Sequence, residues 1–424
     1  MPLAPNRPTR PRQQPAHQEP ARREPSLPAR AAVLAAATMT IMAAAIIAPS
    51  LPAMREEFSG TPGADLLVRF ALTITSLAIA VSAPASGLVA DRVGRRPLLV
   101  GGLVLSAVSG TAGFLVTDLY VLLATRALLG VAVGGIMTAV GAMITDWFDG
   151  PRRATFLGAQ QAFASLGGVV FLPLAGVLAA VDWRAPFWIY AVSAAVAVFA
   201  IAALRTEPPA GRPAAAPRRS PGPHRRTMTG RVLGVYALAL VATLVFFMAP
   251  TQLPFLLSGH GSGPALTGAV IAGSTLTSAL GALAFPALRR RLAPAAITAL
   301  GVALLGAGWL LVGTAGAVGA VGPVALIAAG LLVSGAGVGI TVPDLNLRLS
   351  ELAHPERRGR VLSGLVTAVF LGQFLSPLIV QPLIRTTGLA AAFTWTGGAL
   401  AAGAAVALIG TRAARRGRDH GASR

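Results

Sequence analysis

The chain has 424 residues, of which 54% are hydrophobic and only 12% are charged, and its formal net charge is +20. Soluble domains carry about 25% charged residues, so this composition excludes an ordinary soluble protein and indicates a membrane protein. All 35 basic residues are arginines, which form short clusters between apolar runs, so we do not predict a nucleic acid partner. The absence of cysteine excludes disulfides and thiolate metal sites.

Residues 1–30 are rich in proline and arginine, and we predict that this tail is disordered. A helix needs about 20 apolar residues to cross the bilayer core. The sequence has twelve such runs, at 31–54, 66–90, 97–117, 119–145, 154–180, 186–204, 231–256, 264–288, 294–316, 321–343, 361–384 and 390–411. The long polar stretch 205–230 predicts a flexible linker between two six-helix halves, 31–204 and 231–411, and a basic tail follows at 412–424.

The arginines also predict the orientation of the chain. Cytoplasmic loops are enriched in lysine and arginine, and most of the arginines fall on the side that holds the linker and both tails. The loops of the other side hold Arg55, Arg69, Arg184 and Arg385. We therefore predict that both termini are cytoplasmic. The absence of lysine, together with abundant alanine, glycine and proline, indicates a high-GC bacterial genome and hence the bacterial cytoplasmic (inner) membrane.

A loose internal repeat supports the division into halves. The stretch GPRRATFLGAQQAFASLGGVVFLPL at 150–174 has a counterpart about 205 residues later, PERRGRVLSGLVTAVFLGQFLSPL at 355–378. Both contain an arginine pair, a Leu-Gly pair, and a Phe-Leu followed closely by proline. Two repeated six-helix units are typical of transporters whose substrate site lies between the halves.

A charged loop interrupts the apolar sequence between the second and third spans. Its notable positions are Gly87, Asp91, Arg92, Gly94, Arg95 and Arg96. Their spacing, residue types and place in the topology resemble the signature of the major facilitator superfamily. This resemblance extends over about 30–411, and it implies an all-α polytopic membrane protein with 12 transmembrane helices in two pseudo-symmetric halves.

Three other segments resemble the drug:proton antiporter branch of that superfamily. They are APSLP at 48–52, the fourth-span residues Arg126 and Gly130, and the fifth-span stretch 166–179 with Gly168, Pro173 and Gly176. The last stretch departs from the antiporter pattern, because Leu172 precedes the proline where that branch usually has glycine, and because Val177 replaces the second glycine of a pair. The resemblance implies drug efflux, and these departures weaken that implication.

The charged loop is a candidate gate. The resemblance implies that Asp91 faces the N-terminus of the eleventh span, near 358–360, where exposed N–H groups and the helix dipole favour an anion. Such a contact would latch one side of the protein closed. Gly87 and Gly94 would allow close approach and a tight turn. The alternative is that the arginines only set the topology, which leaves Asp91 unexplained.

Polar residues within the spans predict the transport cavity. We assign Arg126, Gly130, Gln160, Gln161, Gln252 and Gln373 to it, which makes the cavity mostly apolar and suited to a lipophilic substrate. Intramembrane charges are functional by default, but Arg126 could instead snorkel to the interface. Asp91, Asp146 and Asp344 are expected near the ends of their spans, so the sequence does not identify a carboxylate that carries a coupling proton.

These observations predict a secondary active transporter that exports small lipophilic molecules by alternating access, driven by protons. The alternative is an importer of a small organic anion or nutrient that shares the fold. A membrane-embedded enzyme is a third class, but no nucleophile or metal constellation supports it. Asp146 and Asp149 lack the second acidic cluster that a metal site would need. We expect no cofactor, and we expect a monomer whose partners are the lipid bilayer and a small-molecule substrate.

Overall fold

The computed structural model describes residues 25–205, 227–315, 322–352 and 358–421, and its secondary structure over these ranges is entirely helical. The α-helices are α1 (Leu27–Ala45), α2 (Leu51–Glu57), α3 (Ala64–Val93), α4 (Arg95–Ala112), α5 (Leu119–Trp147), α6 (Gly150–Val181), α7 (Val192–Ala203), α8 (Thr227–Phe246), α9 (Met248–Gly259), α10 (Pro264–Arg291), α11 (Pro294–Thr314), α12 (Pro323–Leu352), α13 (Arg358–Thr387) and α14 (Leu389–Gly421). Short 3-10 helices at Ala48–Ser50 and Ala185–Ala191 precede α2 and α7.

Within the described residues, these helices form twelve spanning segments that match the predicted runs one for one. Eleven segments are long and apolar enough to cross a membrane by length and composition alone. The twelfth is α4, whose 18 residues include Arg95 and Arg96. The predicted all-α fold with 12 transmembrane helices is confirmed.

Two spans are broken by proline. A proline ring clashes with the carbonyl four residues earlier and provides no N–H for that hydrogen bond. Accordingly, α1 ends at Ala45, four residues before Pro49, and α8 ends at Phe246, four residues before Pro250. The chain continues in α2 and α9, so each of these two spans consists of two helical pieces.

The ends of the two halves differ from the predicted boundaries. Helix α1 begins at Leu27, within the predicted tail, and the Ser26 side chain accepts a hydrogen bond from the amide of Ala29 at its N-terminus. Helix α14 continues to Gly421, through most of the predicted basic tail. The predicted tail before residue 25 and most of the predicted linker, 206–226, lie outside the described residues.

Each half has an Arg-carboxylate ion pair near one end of the bundle. In the first half, Arg95 Nε on α4 lies 2.7 Å from Asp146 Oδ2 on α5. In the second half, Arg289 Nη2 on α10 lies 2.7 Å from Glu351 Oε1 on α12. Asp146 and Glu351 are separated by the offset of the sequence repeat. We call the end of the bundle that holds these pairs the arginine-rich end, and the end that holds 58–63 and 260–263 the opposite end.

Two helix pairs join the halves side by side: α6 packs against α10, and α3 packs against α13. In the second pair, Ser76 Oγ donates a hydrogen bond of 2.7 Å to Gln373 Oε1, and the rings of Phe70 and Phe374 stack with centroids 5.7 Å apart. The space between these two seams is where both halves contribute side chains to one cavity.

Candidate transport cavity

A cavity of about 400 Å³ lies between the two halves. Its walls come from α1, α5 and α6 of the first half and from α8–α10, α12 and α13 of the second. The polar lining residues are Thr40, Gln161, Ser165, Ser274, Thr275, Ser278, Asn346 and Gln373, and the aromatic ones are Phe246, Phe247 and Phe370. None of the described residues that line it is charged. The site therefore combines apolar surface with neutral hydrogen-bonding groups.

The structure brings together only some of the predicted cavity residues. Gln161 and Gln373 both line the cavity, one from each half. Gln160 is half-buried on α6 beside Gln161, outside the lining. Gly130 instead lies where α5 crosses α3, because a Cβ there would be 2.4 Å from the Thr75 carbonyl oxygen. The three serines of the lining were missed, since serines occur throughout the apolar runs without a pattern that singles them out.

Arg126 lies inside the first half and not among the lining residues. Its side chain is 0% exposed, so it does not snorkel to an interface. Nη2 donates hydrogen bonds of 2.7 and 2.8 Å to the carbonyl oxygens of Ser109 and Gly110. These carbonyls lie in the last turn of α4, where helical carbonyls lack intrahelical partners and cations are favoured.

Two aromatic rings complete the surroundings of Arg126. Its guanidinium carbon lies 4.8 Å from the ring centroid of Phe187 and 5.1 Å from that of Tyr190. Both rings pack against glycines near the end of α4, since a Cβ at Gly110 would be 2.4 Å from Tyr190 Cγ and a Cβ at Gly113 would be 2.4 Å from Phe187 Cδ1. Arg126 therefore joins α4, α5 and the 3-10 helix before α7 into one unit.

The halves close against each other at the opposite end. Arg69 on α3 is 4% exposed, and its Nε donates a 3.0 Å hydrogen bond to Oε1 of the fully buried Gln252 on α9. The Arg69 guanidinium carbon also lies 4.2 Å from the ring centroid of Phe255. Gln252 was assigned to the cavity from sequence, but it takes part in this contact, which we call the Arg69 gate.

The arginine-rich end shows a different pattern. The ion pairs Arg95–Asp146 and Arg289–Glu351 each stay within one half. Gln161 and Asn346 are the cavity residues of α6 and α12 that lie nearest in sequence to the helix ends at this side, and both are exposed. The described contacts thus close the opposite end and leave the cavity facing the arginine-rich end.

Residues 33–377 match the Major Facilitator Superfamily. The chain belongs to this superfamily. The class C tetracycline resistance protein of Escherichia coli is 28% identical over 395 residues, which cover 91% of this chain and 96% of that protein. The quinolone resistance protein NorA of Staphylococcus aureus is 27% identical over 144 residues, which cover 34% of this chain and 36% of NorA.

A solved transporter structure has the same fold as this chain. A D-xylose-proton symporter superposes with a TM-score of 0.71 at 16% sequence identity, covering 90% of this chain and 96% of the symporter. At that identity the likeness concerns the fold alone. The family match and the full-length relative therefore establish a transporter of the superfamily. The third class considered from sequence, a membrane-embedded enzyme, does not apply.

The superfamily-like loop lies at the arginine-rich end. Gly94 adopts φ 99°, a conformation that glycine tolerates far better than other residues, and it separates α3 from α4. Arg96 Nη2 donates a 3.2 Å hydrogen bond to the Ile201 carbonyl oxygen, and Asp91 and Arg92 are exposed. Among the described residues, none forms an ion pair with Asp91. The side chains of 358–360, its predicted partners at the start of α13, lie outside those described.

The antiporter-like residues lie on α6, at the seam between the halves. A Cβ at Gly168 would be 2.9 Å from Thr275 Cγ2, and a Cβ at Gly176 would be 2.6 Å from the Pro264 carbonyl oxygen. Pro173 lies between them, inside α6. Gly168 therefore permits α6 and α10 to approach closely beside the cavity, and Gly176 does so nearer the opposite end.

Replacing Gly176 with valine is expected to reduce transport strongly while the protein still inserts in the membrane. Any side chain there meets the α10 backbone, so the halves cannot close at the opposite end. The matched control is Gly158→Val on the same helix, where a Cβ would meet no atom within 4 Å. Transport rates normalised to the amount of purified protein test this. Equal rates for the two variants would contradict a role for the seam.

Asp344, expected near the end of its span, is completely buried in the structure. Asp344 is 0% exposed and lies within α12, roughly 12 Å along the helix axis from its last residue. The sequence pattern did not show this, because the depth of a residue near a helix end depends on how far the neighbouring helix extends beside it.

Proposed function

We propose that this chain is a proton-coupled exporter of small lipophilic molecules that works by alternating access. The observation that carries the proposal is the cavity between the halves, which is drug-sized, rich in apolar and aromatic side chains, and lined by no charged residue among those described. Transfer of a lipophilic molecule from water to such a site is favourable, because apolar surface is removed from water. A small organic anion would need a cation there, so the cavity argues against the importer alternative.

The similarity to resistance proteins supports export. The match with the class C tetracycline resistance protein spans nearly the whole of both chains, so it includes both halves and the cavity between them. The NorA match, which also concerns a resistance protein, covers a shorter part. We infer by analogy that this chain moves its substrate out of the cell.

Alternating access is supported by the asymmetry between the two ends. The Arg69 gate closes the opposite end, whereas the cavity faces the arginine-rich end. The positive-inside rule assigns the arginine-rich end to the cytoplasm, with both termini. In this orientation the structure represents a state in which a substrate enters from the cytoplasm or the inner leaflet. We place the protein in a bacterial cytoplasmic membrane, where it functions as a monomer without a cofactor.

Accumulation of probe molecules in cells tests this function. In a bacterial strain that lacks its own efflux pumps, expression of the chain is expected to lower the accumulation of ethidium or tetracycline, and a protonophore is expected to restore it. The seam variant Gly176→Val serves as the inactive control. Higher accumulation on expression would support import, and an unchanged effect in the presence of the protonophore would exclude proton coupling.

A further inference from the structure

Asp344 is a buried carboxylate with an incomplete set of partners. Arg348 Nε, one turn later on α12, lies 3.0 Å from Asp344 Oδ2, and the Thr298 hydroxyl on α11 donates a 2.5 Å hydrogen bond to the same oxygen. Oδ1 has no hydrogen-bond partner among the described residues. Burying a carboxylate costs free energy unless both of its oxygens are paired or hydrogen-bonded, and only Oδ2 is paired and hydrogen-bonded here.

Arg348 holds the carboxylate from the side of the arginine-rich end. Its Nη2 donates hydrogen bonds to the Pro294 carbonyl oxygen and to Thr298 Oγ1, both on α11. The Arg348 side chain is 27% exposed, whereas that of Asp344 is completely buried. The Arg348 side chain therefore lies between the Asp344 carboxylate and solvent.

A crevice of about 480 Å³ leads to this pair. It is lined by Arg231 of α8, Pro294 of α11, and Leu345, Arg348 and Glu351 of α12. The crevice lies within the second half, apart from the lining of the transport cavity. It supplies a route by which water from the arginine-rich end reaches Arg348 and, behind it, Asp344.

The packing of the two helices does not itself require this polar pair. At the offset of the internal repeat, Asp344 and Arg348 correspond to Ala139 and Met143 on α5 of the first half. Both are buried apolar residues, and α4 packs against α5 in the first half as α11 packs against α12 in the second. Since a buried ion pair is weak evidence for stability, a functional role for Asp344 is favoured.

We propose that Asp344 carries the coupling proton and releases it through the crevice at the arginine-rich end, a role that rests on the proposed proton-coupled function. In the state described here Arg348 stabilises the ionised form, which is the form left after release. Among the side chains that the structure describes, the remaining charged groups near this site are Arg231 and Glu351 in the crevice, with Arg289 paired to Glu351. From α11 the carboxylate meets only the Thr298 hydroxyl.

The position of Asp344 on α12 connects it with the substrate. Val342 and Asn346, two residues before and after it, line the transport cavity on another face of the same helix. When the carboxyl is protonated, Arg348 loses its anionic partner, and the hydrogen bond from Thr298 of α11 to Asp344 weakens because its acceptor is no longer charged. Protonation of Asp344 can therefore move the part of α12 that lines the cavity, although the proton and the substrate do not contact each other.

Currents from a reconstituted protein on a solid-supported membrane test the proposal without a substrate. After a step in pH, wild type is expected to give a transient proton current, and Asp344→Asn is expected to reduce it to the level of protein-free liposomes. Asp344→Glu should retain a current. Glu56→Gln, which removes an exposed carboxylate at the opposite end, should match wild type.

Ethidium transport in proteoliposomes separates coupling from folding. Asp344→Asn should still exchange ethidium at equal concentrations, but it should not accumulate ethidium when a pH gradient is imposed. If the single variant does not fold, Asp344→Asn combined with Arg348→Gln, which removes both charges, takes its place. Accumulation by the asparagine variant equal to wild type would overturn the role of Asp344 alone. If the wild-type protein did not accumulate ethidium in response to the pH gradient, the proposed proton-coupled function would be overturned as well.

Discussion

Arg126→Ala is expected to abolish transport and to lower the stability of the purified protein. Two carbonyls at the end of α4 would lose their donor, and an unsatisfied buried acceptor costs about 1–3 kcal/mol of unfolding free energy. The rings of Phe187 and Tyr190 would also lose the cation that they enclose. The effect on transport is indirect, because Arg126 positions α4 and α5 and does not line the cavity.

Arg126→Lys distinguishes this interpretation from a simple need for charge. An ammonium group keeps the charge but lacks the planar guanidinium, which here donates to two carbonyls while lying against two rings. We expect the lysine variant to regain part of the stability and little of the transport. Arg184→Ala, which removes a partly exposed arginine paired with the exposed Glu57, is the control and should change stability little. If Arg126→Ala had the same melting temperature and transport rate as wild type, the positioning role of Arg126 would be contradicted.

Arg69→Ala and Asp91→Asn are expected to shift the conformational equilibrium in opposite directions. The hydrogen bond from Arg69 to Gln252 exists in the state closed at the opposite end, and a buried hydrogen bond to a charged group contributes about 1.5–3 kcal/mol. Its loss should reduce the population of this state roughly tenfold or more. Asp91 is exposed in this state, so the proposed latch would act in the other one, and Asp91→Asn should favour the state described here.

Spin labels across the opposite end measure this equilibrium. The chain has no native cysteine, so Ser59→Cys and Ser258→Cys place one label on each half. The distance distribution should move to longer values with Arg69→Ala and to shorter ones with Asp91→Asn, and the double variant should lie between them. Arg184→Ala again serves as the control. A shift in the same direction for both single variants would exclude the latch.

The sequence predicted the fold because its signals are local. Runs of about 20 apolar residues mark the spans, and a proline four residues after each break explains why α1 and α8 end where they do. Gly94 in the charged loop indicated a tight turn, and its positive φ agrees. Each of these signals can be read from a few neighbouring residues.

The site was harder to predict because it depends on which face of each helix meets which neighbour. In a membrane bundle the apolar residues occur on all faces, so periodicity does not separate cavity, core and lipid. This is why Gln161 and Gln373 could not be distinguished from Gln252, which lies in the Arg69 gate. Arg126 and Asp344 owe their burial to helices distant in sequence, and no local pattern shows it.

The direction and coupling of transport are tested most directly in inside-out membrane vesicles. Under an imposed pH gradient with an acidic lumen, these vesicles are expected to accumulate ethidium through the wild-type protein, since the arginine-rich end then faces the medium. Vesicles that contain Gly176→Val provide the baseline. Accumulation that collapses when the pH gradient is dissipated is the result we predict, and accumulation that occurs only in right-side-out vesicles would contradict proton-driven export.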